Sequence, residues 1–198
     1  MITKKAKVSD LLKNVYLTKK EPVSIVHFIT NRCNARCSFC FIDFDNPKVF
    51  EKELSLDEIN KLTKNLGKSL LNVNLTGGEP FARKDIVDIA KAYIDNTTIQ
   101  SMYITTNGSL PDRVINFAKK INEYNSEVEL SFQISIDDLP SNHDKVRKIS
   151  NLFDKCIETF WGLKDLKIKN INPVISITVT HENCDNIENI FDYIHNKC

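Results

Sequence analysis

Three cysteines, Cys33, Cys37 and Cys40, lie close together directly after an apolar, β-branched segment that predicts a strand. This C-x3-C-x2-C spacing can supply three thiolates to an iron-sulfur cluster and leave one iron open to bind a reacting molecule. A structural zinc site would normally complete its tetrahedron with a fourth cysteine or histidine. The alternative is therefore a zinc site completed by His27 or His143, although His27 is also explained by packing within the first strand.

The size and charge of the chain exclude several classes of protein. At 198 residues it suits one domain with its own core. Lysine and arginine number 27 and aspartate and glutamate 26, so the chain lacks the basic excess of a nucleic-acid-binding protein. No apolar run approaches the ~18 residues of a membrane span, and the lysine-rich start lacks a signal-peptide core. We expect a cytoplasmic protein without nucleic-acid or membrane partners.

The remaining cysteines are scattered and do not indicate a disulfide framework, which agrees with a reducing compartment. Cys156 lies on an apolar helical stripe that spans residues 146–160, and we interpret it as a core residue. Cys184 and Cys198 have no thiol or histidine partner at metal-binding spacing, so neither is given a role.

Strand-like and helix-like patterns alternate from Pro22 to the end of the chain. Units of roughly 30 residues or more are typical of repeated βα units on a parallel sheet. A capping box at Ser55 and Glu58 marks one helix start. The predicted strands are residues 23–30, 71–76, 101–106, 129–136 and 172–180, and an amphipathic helix follows each of them.

Several predicted strands have one apolar and one polar face, as in the alternation of residues 129–136. Helices can cover only the apolar faces, so the polar faces are expected to line the inside of a curved, barrel-like sheet that holds a polar ligand. The alternative is an antiparallel sheet with one solvated face.

The polar motifs of the chain follow the predicted strands. Ligand sites in parallel α/β sheets gather at the carboxyl ends of the strands, so these motifs predict one composite site. Gly77 and Gly78 let the backbone approach a ligand closely, and Glu79 can accept hydrogen bonds from an ammonium group, which suits an amino-acid head group. Arg32 and Arg36 are expected to favour the thiolate form of the cysteines.

With these residues, the chain resembles the radical S-adenosylmethionine (radical SAM) superfamily. Its signature is the same cysteine triplet with an aromatic residue, here Phe39, before the last cysteine. Four more stretches stand where that family has them: Gly77-Gly78-Glu79-Pro80, Thr106-Asn107-Gly108, Ser135-Ile136-Asp137, and Asn142-His143-Asp144 leading to Arg147. The likeness runs from about Pro22 to the last helix.

The resemblance implies an incomplete TIM-like barrel of parallel βα units, a partial (βα)6 barrel with about five units present. Residues 1–21 would be an N-terminal extension and residues 22–198 the radical SAM core domain. The sixth strand and a C-terminal auxiliary domain, such as the SPASM type that this core loosely resembles, are expected to be absent.

The resemblance also implies a 4Fe-4S cluster and S-adenosylmethionine (SAM) as cofactors. The cysteine triplet would bind the cluster, Gly77 to Glu79 the SAM amino group, and Ser135 and Asp137 the ribose or methionine part, with Arg147 pairing with the SAM carboxylate. Three alternatives stay open: Asp137 could cap the next helix, Arg147 could be a surface residue, and Asn107 and Gly108 could be only a turn. The full set implied for cofactor binding is Phe39, Gly77, Gly78, Glu79, Pro80, Thr106, Asn107, Ser135, Asp137 and Arg147.

The activity implied is reductive cleavage of SAM to a 5′-deoxyadenosyl radical that removes hydrogen from a peptide or small-metabolite substrate. An electron donor such as flavodoxin or ferredoxin would be needed. The sequence identifies no catalytic acid or base. Two alternatives are a cluster- or SAM-binding module without turnover, because the barrel is short, and a structural zinc-binding protein.

Overall fold

The computed structural model describes residues 8–18 and 21–198, so residues 1–7 and 19–20 of the predicted N-terminal extension lie outside the described residues. Five strands form one sheet in the order β1-β2-β3-β4-β5, and all four pairings are parallel. The strands are β1 (Ser24–Thr30), β2 (Asn72–Gly77), β3 (Ser101–Thr106), β4 (Glu129–Ser135) and β5 (Ile171–Ser176). This confirms the predicted open barrel of βα units, and the antiparallel alternative is wrong.

Helices connect the strands as parallel crossovers require. They are α1 (Val8–Lys13), α2 (Leu56–Asn65), α3 (Ile86–Asn96), α4 (Pro111–Tyr124), α5 (Pro140–Arg147), α6 (Leu152–Lys164) and α7 (Ile187–His195). The predicted capping box begins α2, since Ser55 Oγ accepts from the Glu58 N–H and Glu58 Oε2 accepts from the Ser55 N–H at 2.8 Å. Within residues 8–18 and 21–198, no helix has the length and apolar character needed to cross a membrane.

The sheet has an apolar face covered by helices and a second face that is mostly polar. Val73, Met102, Leu130 and Phe132 are fully buried on the covered face. His27 is also buried there, and its Nδ1 lies 2.9 Å from the Tyr93 hydroxyl, as its predicted packing role requires. The opposite face, which we call the concave face, carries the alternate residues of each strand.

Most strand boundaries lie within one residue of the prediction, and two differences are larger. The apolar stripe over residues 146–160 belongs to two helices, because Lys148 (φ 56°) and Asn151 (φ 56°) take left-handed conformations that end α5 and precede α6. β5 ends at Ser176, four residues before the predicted end, because the chain turns away after its pairing with Ser135. Cys156 is nevertheless buried on α6, as predicted.

Candidate active site

A cavity of about 330 Å³ opens at the carboxyl ends of the strands. All three clustered cysteines line it together with Gly77, Gly78 and Arg147. The other lining residues are Ala35, Phe39, Phe41, Phe44, Thr76, Thr105, Thr106, Asn107, Ser135 and Thr178. The structure thus brings together residues that are up to 145 positions apart in the sequence, as the strand-end motifs predicted.

Residues 31–41 form a segment that we call the cysteine loop, and its first contact is with the end of β2. The Gly78 N–H donates to the Thr30 carbonyl at 2.7 Å, and the Glu79 N–H donates to the Arg32 carbonyl at 2.8 Å. These two backbone hydrogen bonds hold the start of the loop against the diglycine turn.

The end of α5 makes the second contact with the cysteine loop. The Arg36 N–H donates to the Arg147 carbonyl at 3.1 Å, and the Ser38 N–H donates to the Val146 carbonyl at 3.3 Å. The last carbonyls of a helix lack partners within the helix. The backbone on both sides of Cys37 therefore satisfies groups that would otherwise need water or a side chain.

The third contact joins the cysteine loop to the end of β3. Asn107 Nδ2 donates to Asn34 Oδ1 at 2.9 Å, and Asn34 Nδ2 donates to Ser109 Oγ at 2.9 Å. Asn107 Nδ2 also lies 3.7 Å from Cys33 Sγ, which receives the Ala35 N–H at 3.3 Å. The loop is thus anchored to three elements of the fold.

The diglycine turn shows why glycine is required at both positions. Gly77 has φ 133°, and a Cβ atom there would lie 2.0 Å from the Thr30 carbonyl oxygen. At Gly78 a Cβ atom would lie 2.3 Å from the Arg32 carbonyl oxygen. The predicted close backbone approach is therefore present, and it serves contact with the cysteine loop as well as access to the cavity.

Glu79 has a different environment from the one predicted. It is fully buried and is absent from the described residues that line the cavity, as is Pro80, which begins a 3₁₀-helix at Pro80–Ala82. Glu79 accepts from the Asn107 N–H at 2.7 Å, from the Phe81 N–H at 3.0 Å and from the Thr106 hydroxyl at 2.9 Å. Burial raises the pKa of this carboxyl, and the hydrogen bonds oppose that rise. The structure therefore shows Glu79 joining the ends of β2 and β3, and its contact with an ammonium group stays a prediction.

Asp137 and Arg147 form a buried ion pair. Arg147 Nη2 lies 2.7 Å from Asp137 Oδ2, and Oδ1 of the same carboxylate accepts from the Thr178 N–H at 3.0 Å. Both oxygens of Asp137 are thus engaged, and Asp137 is not among the described lining residues. Asp137 does not cap the next helix, because Leu139 occupies the N-cap of α5. Arg147 is not a surface residue, because it is only 6 % exposed. Both of these alternatives are therefore wrong.

Arg147 is the cation that acts on Cys37. Burial raises the pKa of the Cys37 thiol, and the Arg147 charge opposes that rise. Burial also raises the pKa of the Cys33 thiol. The predicted influence of Arg32 and Arg36 is not observed: Arg32 pairs with Glu53 at 3.4 Å, and Arg36 donates to backbone carbonyls within the loop.

The number of candidate ligands at the cavity differs between the metal hypotheses. Among residues 8–18 and 21–198, no group of three His, Cys, Asp or Glu side chains is arranged to hold a single metal ion. The described cavity lining contains three free cysteines and neither His27 nor His143, the two predicted candidates for a fourth zinc ligand. A structural zinc site takes four protein ligands, whereas three cysteines can hold an iron-sulfur cluster with one iron left open.

His143 and Cys156 lie behind the cavity and pack in the core. Burial lowers the pKa of His143 to about 4, and its Nδ1 accepts from the Asp137 N–H at 3.2 Å. The Cys156 thiol donates to the Asn107 carbonyl at 3.2 Å, and burial raises its pKa to about 12. His143 is thus absent from the described cavity lining, and neither residue is placed as a metal ligand.

Sequence reasoning missed several residues of the site. Asn34 and Thr178 carry no pattern of their own, and only the folded chain brings them to Asn107 and Asp137. Phe44, whose ring lies 4.1 Å from Arg36 Cζ, could have been found from the aromatic residues that follow the cysteines.

The model of the Radical SAM superfamily matches residues 28–194, and the chain belongs to this family. This confirms the predicted family, whose members use a 4Fe-4S cluster and SAM. The chain is 30% identical over 173 residues to GTP 3′,8-cyclase of Cronobacter sakazakii, a match that covers 81% of this chain and 49% of that protein. It is 27% identical over 186 residues to the sporulation killing factor maturation protein SkfB of Bacillus subtilis, covering 88% of this chain and 40% of that protein.

Two solved structures share the fold. Native anSMEcpe with bound AdoMet superposes with a TM-score of 0.67 at 21% identity, over 89% of this chain and 49% of that chain. SuiB of Streptococcus suis bound to precursor peptide SuiA superposes with a TM-score of 0.65 at 19% identity, over 96% of this chain and 40% of that chain. The chain thus spans about half or less of the length of these relatives.

Proposed function

We propose that Cys33, Cys37 and Cys40 bind a 4Fe-4S cluster and that the protein is a radical SAM enzyme acting on a peptide. The observation that carries the proposal is that all three cysteines, the diglycine turn and Arg147 line one cavity. Cys33, Cys37 and Cys40 would hold the cluster, and its chemistry when bound would be one-electron reductive cleavage of a carbon-sulfur bond of SAM to methionine and a 5′-deoxyadenosyl radical, with the electron taken from an external donor and the radical removing hydrogen from substrate.

The residues of the cavity suit the parts of SAM. Arg147 is the one cation among the described lining residues, and its pairing with Asp137 leaves Nη1 for the SAM carboxylate. The backbone carbonyl groups of Gly77 and Gly78 can accept hydrogen bonds from the SAM amine. Ser135, for which the family resemblance predicts contact with the ribose or methionine part of SAM, lines the same cavity.

Aromatic residues limit the access of water to the cavity. Phe39 and Phe44 line it, and the Phe39 ring lies 5.9 Å from Arg147 Cζ. Excluding water strengthens electrostatic contacts and protects a reactive species from side reactions. Phe39 and Phe44 are therefore suited to a site in which a reactive radical must be kept away from water.

The side chains of the concave face support the proposal of a peptide substrate. The side chains on this face come from alternate residues of five strand segments: 24–28, 72–76, 101–105, 129–135 and 172–176. Among these residues Glu129, at the amino end of β4, is the one that is charged. Amide and hydroxyl groups occupy its centre, where the Thr105 hydroxyl donates to Gln133 Oε1 at 3.0 Å and lies 3.4 Å from Asn74 Oδ1. Amides that both donate and accept are suited to peptide groups.

The names of the relatives point to two substrate classes, peptides and GTP. SkfB is named for maturation of a killing factor, and SuiB is bound to a precursor peptide, whereas other relatives are named GTP cyclases. Recognition of a triphosphate relies on arginine or lysine. The described concave face carries neither, so its chemistry favours a peptide over GTP.

The proposal also requires an electron donor and a reducing compartment. All six cysteines are free thiols, which agrees with the cytoplasm. A flavodoxin or ferredoxin is the proposed donor.

The test is anaerobic reconstitution followed by iron and sulfide analysis, EPR, and assay of 5′-deoxyadenosine with SAM and dithionite. We expect about four irons per chain and 5′-deoxyadenosine formation in the wild type. Cys37→Ala should lose both, whereas Cys184→Ala, which changes an exposed cysteine outside the described cavity lining, should lose neither.

Each alternative has its own outcome in this test. Zinc without sulfide would refute the proposal. A complete cluster without 5′-deoxyadenosine formation would support the alternative of a cluster- or SAM-binding module without turnover. Stimulation of 5′-deoxyadenosine formation by added GTP would contradict the peptide assignment.

A further inference from the structure

We propose that Asn107 raises the reduction potential of the bound cluster by donating a side-chain hydrogen bond to the sulfur of Cys33. The inference rests on the proposed function, because it requires Cys33 to bind a cluster. The observation behind it is that Asn107 Nδ2 lies 3.7 Å from Cys33 Sγ. The family resemblance predicted a cofactor contact for Asn107 without giving it this role.

The orientation of the Asn107 amide is fixed by its other contacts. Its Oδ1 accepts from the Ser109 N–H at 2.9 Å, so the opposite end of the amide must be the NH₂ group. That NH₂ group has two hydrogens. One is directed to Asn34 Oδ1 at 2.9 Å, which leaves the other for Cys33 Sγ.

The backbone of Asn107 is anchored on both sides. Its N–H donates to the buried Glu79 carboxylate at 2.7 Å, and its carbonyl accepts from the Cys156 thiol at 3.2 Å. Asn107 itself is 4 % exposed. A side chain held in this way loses little conformational freedom when it binds a thiolate, so the contact is preorganised.

The three cysteines receive different numbers of donors. Cys33 Sγ is approached by the Ala35 N–H at 3.3 Å and by Asn107 Nδ2. In the described part of the chain, no N–H group is hydrogen-bonded to the sulfur of Cys37 or Cys40. A change at Asn107 therefore acts on one ligand and leaves the other two as they are.

A donor to a cluster sulfur stabilises the reduced state, because reduction adds negative charge to the cluster and its thiolates. Hydrogen bonds to charged acceptors are about twice as strong as neutral ones. Removing this donor should lower the equilibrium constant for one-electron reduction about tenfold, which corresponds to about 59 mV. The potential should become more negative.

The experiment measures the potential of reconstituted protein by EPR-monitored redox titration without SAM. Asn107→Ala should titrate at a potential about 59 mV more negative than the wild type, a tenfold change. The matched control is Asn189→Ala, which removes an exposed asparagine of α7 and should titrate like the wild type. Iron and sulfide contents are measured for all three proteins.

The outcomes separate this inference from the proposed function. A wild type without iron and sulfide would refute both. A full cluster in Asn107→Ala with an unchanged or more positive potential would refute the role of Asn107 alone.

A second measurement covers the case in which Asn107→Ala does not retain a cluster. Wild-type protein labelled with ¹⁵N in the asparagine side-chain amides is reduced without SAM and examined by pulsed EPR. Coupling of ¹⁵N to the cluster is the expected result, and it should be the same in Asn189→Ala. Absence of that coupling in the wild type would overturn the inference.

Discussion

Replacing Gly77 by alanine tests whether the diglycine turn holds the cysteine loop. The added Cβ atom would lie 2.0 Å from the Thr30 carbonyl oxygen, and the φ of 133° is unfavourable for alanine. A residue forced into such a conformation costs about 1–3 kcal/mol. The neighbouring Gly78–Thr30 hydrogen bond of 2.7 Å would be displaced, which costs about 1 kcal/mol more. We expect Gly77→Ala to lower the free energy of unfolding by about 2–4 kcal/mol.

The assay is urea denaturation of the apoprotein by circular dichroism, followed by iron analysis after reconstitution. Gly162→Ala is the control, because its Cβ atom would meet the side chain of Ile115, with Cδ1 at 2.4 Å and Cγ1 at 3.2 Å, and this flexible side chain can move. Alanine is favoured over glycine in a helix by about 1 kcal/mol, so the control should stay within about 1 kcal/mol of the wild type. If Gly77→Ala matched the wild type in both stability and iron content, the proposed link between the turn and the loop would be refuted.

Two further predictions concern buried charge. Asp137→Ala should destabilise the apoprotein by about 3–5 kcal/mol in urea denaturation, because Arg147 would stay buried without its partner; a loss below about 1 kcal/mol would contradict this. Burial lowers the pKa of His143 to about 4, so the unfolded chain takes up the proton first as the pH falls from 6.5 towards 4. The apoprotein should therefore lose about 2 kcal/mol between pH 7 and pH 5, and His143→Gln should reduce this loss; equal losses in both proteins would show that another group is responsible.

The sheet could be predicted because its signals are local. Alternation of apolar and polar residues identifies β4 to within one residue, and the capping box identifies the start of α2. The break between α5 and α6 has no such signal, because the apolar spacing continues through Lys148 and Asn151 although both adopt left-handed conformations. Periodicity reports which face a residue occupies, but it does not report a backbone reversal that keeps the same face buried.

The structure brings many of the predicted site residues to one cavity, but several of their contacts were not anticipated from the sequence. The cysteines and the diglycine turn were identified by spacing and residue type, and the structure places them around one cavity. The environments of Glu79 and Asp137 were not predicted. Each carboxylate is satisfied by groups distant in sequence, Glu79 by the end of β3 and Asp137 by Arg147 and Thr178. Such pairings depend on how the strand ends meet, which the sequence does not state.

The proposed cofactor cavity and the proposed substrate face share Thr76, Thr105 and Ser135 but otherwise draw on different residues. The cavity draws on the segment that follows β1, on the ends of β2, β3 and β4, on α5, and on Thr178 beyond β5. The concave face instead extends along all five strands, and its polar centre lies on β2, β3 and β4. Changes at Asn74 or Gln133 should therefore leave SAM cleavage without substrate intact and alter the coupling of that cleavage to a peptide. A variant of either residue that lost cluster iron would show that the two functions share one structural unit.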